Sequence, residues 1–136
     1  MIVAAEREGL SPERIAAKYT AEFFAALAFL RAEPADYFPR ATMHIPQMQD
    51  IIRRLLEKGL AYQTPAGVYF AVTTFPSYGA LSGNTLDAIQ AGARVEIREE
   101  KRHPADFALW VKAAEGHQMQ WDSPWGRGYP GWHIEC

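Results

Sequence analysis

The sequence lacks several features that would narrow its function quickly. One cysteine in 136 residues cannot form a disulfide framework within the chain. No apolar run approaches the ~18 residues of a membrane helix, and no secretory leader is recognisable, so we expect no membrane partner and a reducing, cytoplasmic setting. A net charge of −2 and a pI near 6.1 argue against a domain that holds nucleic acid mainly by non-specific phosphate contacts.

The composition that is present allows one modest core. Hydrophobic residues make up 49% of the chain and aromatic residues 12%. No internal repeat or low-complexity segment appears. We expect one domain, or one piece of a larger one.

Helical signals dominate the first half of the chain. Ser11 and Pro12 form an N-cap and a first-turn proline, and a shorter helix, Ile2 to Glu8, is predicted to end at Gly9. The helix that begins at Pro12 is predicted to be amphipathic and to end before Pro34, with an apolar stripe of Ile15, Tyr19, Phe23, Leu27 and Leu30.

A second helix is predicted to accept Pro46 in its first turn and to stop at Gly59. Its apolar stripe, which we expect to be core, consists of Met48, Ile51, Ile52, Leu55 and Leu56.

The hydrophobic period changes to two after Gly59. Leu60–Gln63 and Val68–Val72 flank a Pro65–Gly67 turn and predict a hairpin, and Phe107–Val111 is short enough for a buried strand. Further expectations are a short helix over 84–90 that Gly92 stops, a strand-like alternation at Val95 and Ile97, and a loop over 121–131. This order of elements indicates only an α/β or α+β fold.

The segment Ser123–Cys136, SPWGRGYPGWHIEC, carries the single cysteine behind a run of glycines and aromatic residues. It resembles the stretch of cysteinyl-tRNA synthetases that supplies a zinc-ligating cysteine. Further phrases follow in the order of that family: Arg40–Thr42, Gly59–Tyr62, Tyr78–Ser82, Ala91–Glu96, Lys101 with Pro104, and Asp106–Trp110. The chain is therefore identified as a member of this family.

The resemblance implies an α/β fold, a partial class I nucleotide-binding (Rossmann-like) domain with an inserted connective region. Residues 1–40 would end the first half of the catalytic domain and be helical, 41–120 would be the connective region with a helix and the hairpin, and 121–136 would re-enter the second half. The HIGH-type signature, the KMSKS-type loop and the other zinc ligands would lie outside the chain. His44–Gln47 does not replace the HIGH-type signature, because it lacks the glycine that lets backbone approach a nucleotide.

Cys136 is, by this resemblance, one ligand of a Zn²⁺ ion that takes the thiol of the substrate. Packing alone discriminates cysteine from the near-isosteric serine by only ~1 to 3 kcal/mol, whereas zinc prefers thiolate to hydroxyl. Trp132 would be a wall of the substrate pocket and His133 would line it, and no catalytic side chain is expected in this chain. The alternatives are a buried free cysteine at 136, core packing of Trp132, and a second zinc ligand at His133.

The implied activity is ATP-dependent activation of L-cysteine and its transfer to tRNA(Cys), with ATP and Mg²⁺ as substrate and accompanying ion, in a protein that we expect to be a monomer. The isolated chain is expected to be inactive. Two alternatives remain, namely the related ligase that joins cysteine to an amino sugar in mycothiol synthesis, and a non-catalytic truncated paralogue that acts as a binding module.

Other residues have structural interpretations. Trp110, Trp121 and Trp125 are expected to be structural, and Asp106 either caps a turn or positions a strand. The basic residues at 94, 98 and 101–103 either touch tRNA or form a solvated face with neighbouring glutamates, and the second is favoured. Tyr129 and Val111 depart from the usual family pattern, which has arginine and lysine there.

Overall fold

The computed structural model describes residues 2–83 and 100–135, the last without its side chain. The chain divides into two compact units, residues 1–40 and 41–136. The helix predicted over 84–90, the alternation at Val95 and Ile97, the arginines at 94 and 98, and Cys136 lie outside the described residues. Within the described part, no helix is long and apolar enough to cross a membrane.

The first unit contains two helices, α1 (Ile2–Glu8) and α2 (Pro12–Phe29). The Ser11 side chain accepts a hydrogen bond from the Arg14 amide at 3.3 Å, and Pro12 occupies the first turn, which confirms the predicted start. Gly9 ends α1 with a φ of +62°, which a residue with a side chain rarely adopts.

The apolar stripe predicted for α2 is mostly on the surface. Ile15 is buried, but Tyr19 and Phe23 are about half exposed, at 46% and 53%, and Leu30 is 71% exposed. The periodicity places these side chains on one side of the helix, but it does not supply a surface to cover them.

The second unit begins with helix α3 (Ile45–Glu57), which a 3₁₀ turn at Ala41–Met43 precedes. Pro46 lies in the first turn as predicted. Met48 and Ile52 are buried, and Leu55 and Leu56 pack partly against the core. Ile51 is 47% exposed, so its assignment to the core was wrong.

An antiparallel sheet follows, which has four strands among the described residues, in the order β1-β2-β3-β4. Its strands are β1 (Ala61–Thr64), β2 (Gly67–Phe70), β3 (Phe107–Lys112) and β4 (Gly128–Pro130). The hairpin pairs Ala61 with Phe70 and Thr64 with Gly67, which confirms it, although Val72 belongs to a 3₁₀ turn at Val72–Thr74. These helices and strands agree with a partial α/β domain.

The segment 121–131 is only partly a loop, because β4 lies within it. Trp121 and Gly128 exchange two backbone hydrogen bonds of 2.7 and 2.9 Å, and a Cβ at Gly128 would lie 2.1 Å from the Val111 carbonyl oxygen. β4 is an edge strand, where a proline such as Pro130 is tolerated. Glycine at position 128 therefore permits close strand pairing. The composition of this segment had predicted a loop.

The core lies between α3 and one face of the sheet. Its buried members are Ile45, Met48, Ile52, Ala61, Val68, Leu109 and Trp110. The Trp110 indole donates to the Gly126 carbonyl at 3.2 Å, and Trp121 and Trp125 pack against the same cluster. These three tryptophans are structural, as predicted. A single-turn helix, α4 (Trp132–Glu135), follows β4.

Candidate functional site

A β-bulge in β3 lies next to the residue that precedes α4. Val68 pairs with Trp110 and Tyr69 with Ala108, so Leu109 is an extra residue on β3. The Leu109 carbonyl accepts a hydrogen bond from the Gly131 amide at 2.9 Å. A Cβ at Gly131 would lie 1.9 Å from the Ala108 carbonyl oxygen, so only glycine fits against this bulge.

Trp132, the first residue of α4, has 86% of its surface exposed. Ile134, in contrast, packs against the core, and its amide bonds back to the Gly131 carbonyl at 3.1 Å. Within the described residues, Trp132 is therefore not part of the core cluster. Its role as a pocket wall stays a prediction.

His133 contacts a cluster of aromatic rings at the end of the sheet. Its ring centroid lies 4.5 Å from that of Phe107, at an interplanar angle of 50°. Phe107 stacks on Phe70 at 5.1 Å and 15°, and Tyr78 lies 6.2 Å from both rings. Phe75 joins the cluster through Phe70, at 6.4 Å. The role of His133 in substrate binding stays a prediction.

The predicted metal ligand, Cys136, lies outside the described residues. Within 2–83 and 100–135, no group of three or more His, Cys, Asp or Glu side chains could hold a metal ion. Zinc sites in proteins have three or four protein ligands. The described residues therefore do not form a zinc site by themselves.

Asp106 is the buried centre of a hydrogen-bond network that the sequence did not reveal. Its side chain is 2% exposed and accepts from the Tyr62 hydroxyl at 2.7 Å, the Val72 amide at 2.9 Å and the His103 amide at 3.0 Å. The network thus caps the turn before β3 and also ties β3 to the hairpin. The sequence left these two roles as alternatives, whereas the structure combines them.

The Tyr62 hydroxyl also accepts from the Arg102 amide at 2.9 Å. Burial of the phenol raises the pKa of Tyr62 to about 12; the Arg102 amide lowers it and the bond to Asp106 raises it. The Arg102 guanidinium lies 4.2 Å from the centre of the Tyr62 ring. Arg102 of the predicted basic cluster is therefore part of this network, and its two neighbouring arginines lie outside the described residues.

The two departures from the family pattern lie side by side in the sheet. Val111 of β3 pairs with Tyr129 of β4. The Tyr129 ring stacks on His117 with centroids 4.5 Å apart and planes at 12°. A tyrosine at this position therefore pins the loop between β3 and β4 by stacking.

Comparison with known proteins agrees with the resemblance. The family model described as tRNA synthetases class I (C) catalytic domain matches residues 1–136. Cysteine--tRNA ligase of Thermus thermophilus is 53% identical over 132 residues, which are 97% of this chain and 28% of that protein. Cysteine--tRNA ligase of Desulfitobacterium hafniense is 52% identical over 136 residues, which are 100% of this chain and 28% of that protein.

The chain thus spans a little over a quarter of the length of these curated relatives, at 28%. Both measures, the family model over all residues and identities above one half, exceed what chance similarity gives. The chain belongs to the catalytic-domain family of class I synthetases, in its cysteinyl-tRNA synthetase branch.

Proposed function

We propose that this chain works as part of a cysteinyl-tRNA synthetase, which activates L-cysteine with ATP and transfers it to tRNA(Cys). The observation that carries the proposal is the match of the whole chain to proteins named Cysteine--tRNA ligase, including the segment that ends in GWHIEC. The enzyme would be a monomer in the cytoplasm. In it, residues 1–40 end the first half of the catalytic domain, 41–120 form the connective region, and 121–136 re-enter the second half.

The substrate pocket, in this proposal, receives its wall from Trp132 and a lining residue from His133. The Gly131 amide and Ile134 hold α4 on the sheet, so the exposed indole of Trp132 is presented from a fixed base. An apolar ring in this position excludes water from the substrate side chain.

Cys136 would be one ligand of a zinc ion, and the remaining ligands would come from outside this chain. Bound zinc would supply a soft Lewis acid that prefers the thiol of cysteine to the hydroxyl of serine. The role of Cys136 is then to hold the ion as a thiolate, which a serine at this position would not do.

The reaction would not need a general base from this chain. The carboxylate of cysteine would attack the α-phosphorus of ATP, the bond to the bridging oxygen would break, and pyrophosphate would leave with that electron pair. Bound Mg²⁺ would supply positive charge for the phosphates. Positioning and charge stabilisation supply most of the rate in such a transfer. The chain's contribution is therefore to orient the amino acid, and the chain alone should be inactive.

The test is cysteine-dependent ATP–pyrophosphate exchange by the full-length protein that contains this chain, followed by aminoacylation of tRNA(Cys). Exchange with cysteine but not with serine is expected, and the 136-residue chain alone should show none. Activation of cysteine followed by transfer to an amino sugar instead of tRNA would identify the mycothiol-type ligase. Absence of exchange in the folded full-length protein would identify a non-catalytic binding module.

The zinc ligand is tested by metal content. Cys136→Ser should lower the zinc stoichiometry of the full-length protein and weaken cysteine binding much more than ATP binding. His117→Ala is the matched control, since His117 stacks on Tyr129 in the loop after β3 and is not proposed as a ligand. Unchanged zinc content in Cys136→Ser would show that Cys136 is not a ligand.

A further inference from the structure

The imidazole of His133 is exposed and contacts one aromatic ring among the described residues, that of Phe107. Helix α4 has four residues, too few to be stable without tertiary contacts. The Gly131 amide and the Ile134 side chain fix its backbone to the sheet. The His133 ring contacts the Phe107 ring, with the two centroids 4.5 Å apart. The direction of the imidazole therefore depends on that ring more than on the helix.

Phe107 is itself held on three sides. Its ring stacks on Phe70 at 5.1 Å, and its backbone pairs with Phe70 in the sheet. The Tyr78 ring lies 6.2 Å away on another side. Directly before it, the three hydrogen bonds to Asp106 fix the first residue of β3 in place. A ring fixed in this way can restrain the orientation of a side chain that contacts it.

We propose that Phe107 is a positioning residue for cysteine binding, which acts by orienting the imidazole of His133. This inference rests on the proposed function, because it assigns His133 to the cysteine pocket. Phe107 does not touch the substrate in this proposal. Loss of the Phe107 ring should weaken cysteine binding and leave ATP binding almost unchanged. The reason is that, among the described ring pairs, the one between Phe107 and His133 joins the aromatic cluster to α4.

The perturbation is Phe107→Leu, which keeps an apolar side chain and removes the ring. One aromatic contact corresponds to a factor of about 3 to 10 in an equilibrium. We therefore expect the KM for cysteine in pyrophosphate exchange to rise about 3- to 10-fold, with the KM for ATP changed less than ~2-fold. Phe107→Tyr keeps the ring and should retain the KM of the unmodified protein.

Phe75→Leu is the matched control. It makes the same change within the same cluster, but among the described ring pairs Phe75 contacts Phe70, 6.4 Å away, and not His133. Its KM for cysteine should stay within ~2-fold of the unmodified value. A rise equal to that of Phe107→Leu would show that the effect is a general loosening of the cluster and would overturn the proposal.

The decisive experiment is a double-mutant cycle in the full-length protein. If Phe107 acts through the imidazole, Phe107→Leu should have no further effect on the KM for cysteine once His133→Ala is present. Equal effects in both backgrounds would overturn the proposal. Should Phe107→Leu be insoluble, NMR of the unmodified protein replaces it. A ring-current shift of the His133 imidazole protons is expected, and its absence would contradict the contact between the two rings and overturn the proposal. Full activity with unchanged KM values in Phe107→Leu would refute this inference alone, whereas lack of cysteine-dependent exchange in the unmodified protein would refute the proposed function.

Discussion

The Asp106 network allows a sharp test of what holds the sheet to the turn that precedes β3. In Asp106→Asn, one carboxylate oxygen is replaced by an NH₂ group of nearly the same size. One oxygen accepts from the Val72 amide, and the other accepts from both the Tyr62 hydroxyl and the His103 amide. Whichever way the new amide turns, at least one backbone N–H faces a donor instead of an acceptor.

The magnitude follows from these contacts. A buried donor without a partner costs ~1 to 3 kcal/mol, and the bonds that remain become weaker because their acceptor is no longer a carboxylate. We expect Asp106→Asn to lower the free energy of unfolding by about 2 to 4 kcal/mol, a large share of the ~5 to 15 kcal/mol of a typical domain. The amides of Val72 and His103 should then lose protection from hydrogen exchange by roughly 30- to 700-fold.

Native-state hydrogen exchange and urea unfolding check this prediction. Asp122→Asn is the control, because Asp122 is almost fully exposed and its 3.7 Å pair with Arg127 is a surface contact. That change should alter stability by less than ~0.5 kcal/mol. If Asp106→Asn also costs less than ~1 kcal/mol, the three hydrogen bonds do not stabilise this fold, and the reasoning from burial is refuted.

Three further changes test other parts of the fold. Ile52→Ala should lower the free energy of unfolding, measured with urea, by ~2 to 5 kcal/mol. Ile51→Ala, the same change at a 47% exposed position, should lower it by less than ~0.5 kcal/mol, and equal losses would refute the orientation of α3. Since the pKa of Tyr62 is raised from 10.0 to about 12, its neutral phenol stabilises the fold fully below pH 10, and this contribution is lost as the pH rises to 12. Over this window the free energy of unfolding of the unmodified chain should fall by up to ~2 to 3 kcal/mol more than that of Tyr62→Phe. Gly131→Ala should release the amides of α4 in hydrogen exchange, because its Cβ would meet the Ala108 carbonyl; retained protection would show that the bulge can move.

Local chemistry explains which elements the sequence could predict. The cap at Ser11, the proline at position 12 and the turn before Gly67 act on residues within four positions of themselves, so their signals are visible in the sequence. A helical period, in contrast, cannot decide which of two adjacent residues, Ile51 or Ile52, faces the core. That choice is made by the sheet on which α3 packs.

Long-range partners account for what the sequence did not predict. Asp106 bonds to Tyr62 and Val72, which precede it by 44 and 34 positions. No local pattern distinguishes such an aspartate from one that caps a turn. β4 was predicted as a loop because Gly128 and Pro130 are common in loops. It is a strand because the missing side chain at position 128 lets the Val111 carbonyl approach.

The arrangement of α4 separates Trp132, which is exposed, from the residues that hold the helix on the sheet. The Gly131 amide, the Ile134 side chain and the ring of His133 all contact the sheet side, whereas Trp132 is left 86% exposed. Burial of a large side chain contributes ~1.5 to 3 kcal/mol, and the described residues do not provide it for this indole. Discrimination of a thiol from a hydroxyl requires groups that are in place before the substrate arrives. The contact with Phe107 supplies such a placement for His133, whereas Trp132 would be covered in the proposed pocket by groups from outside the described residues.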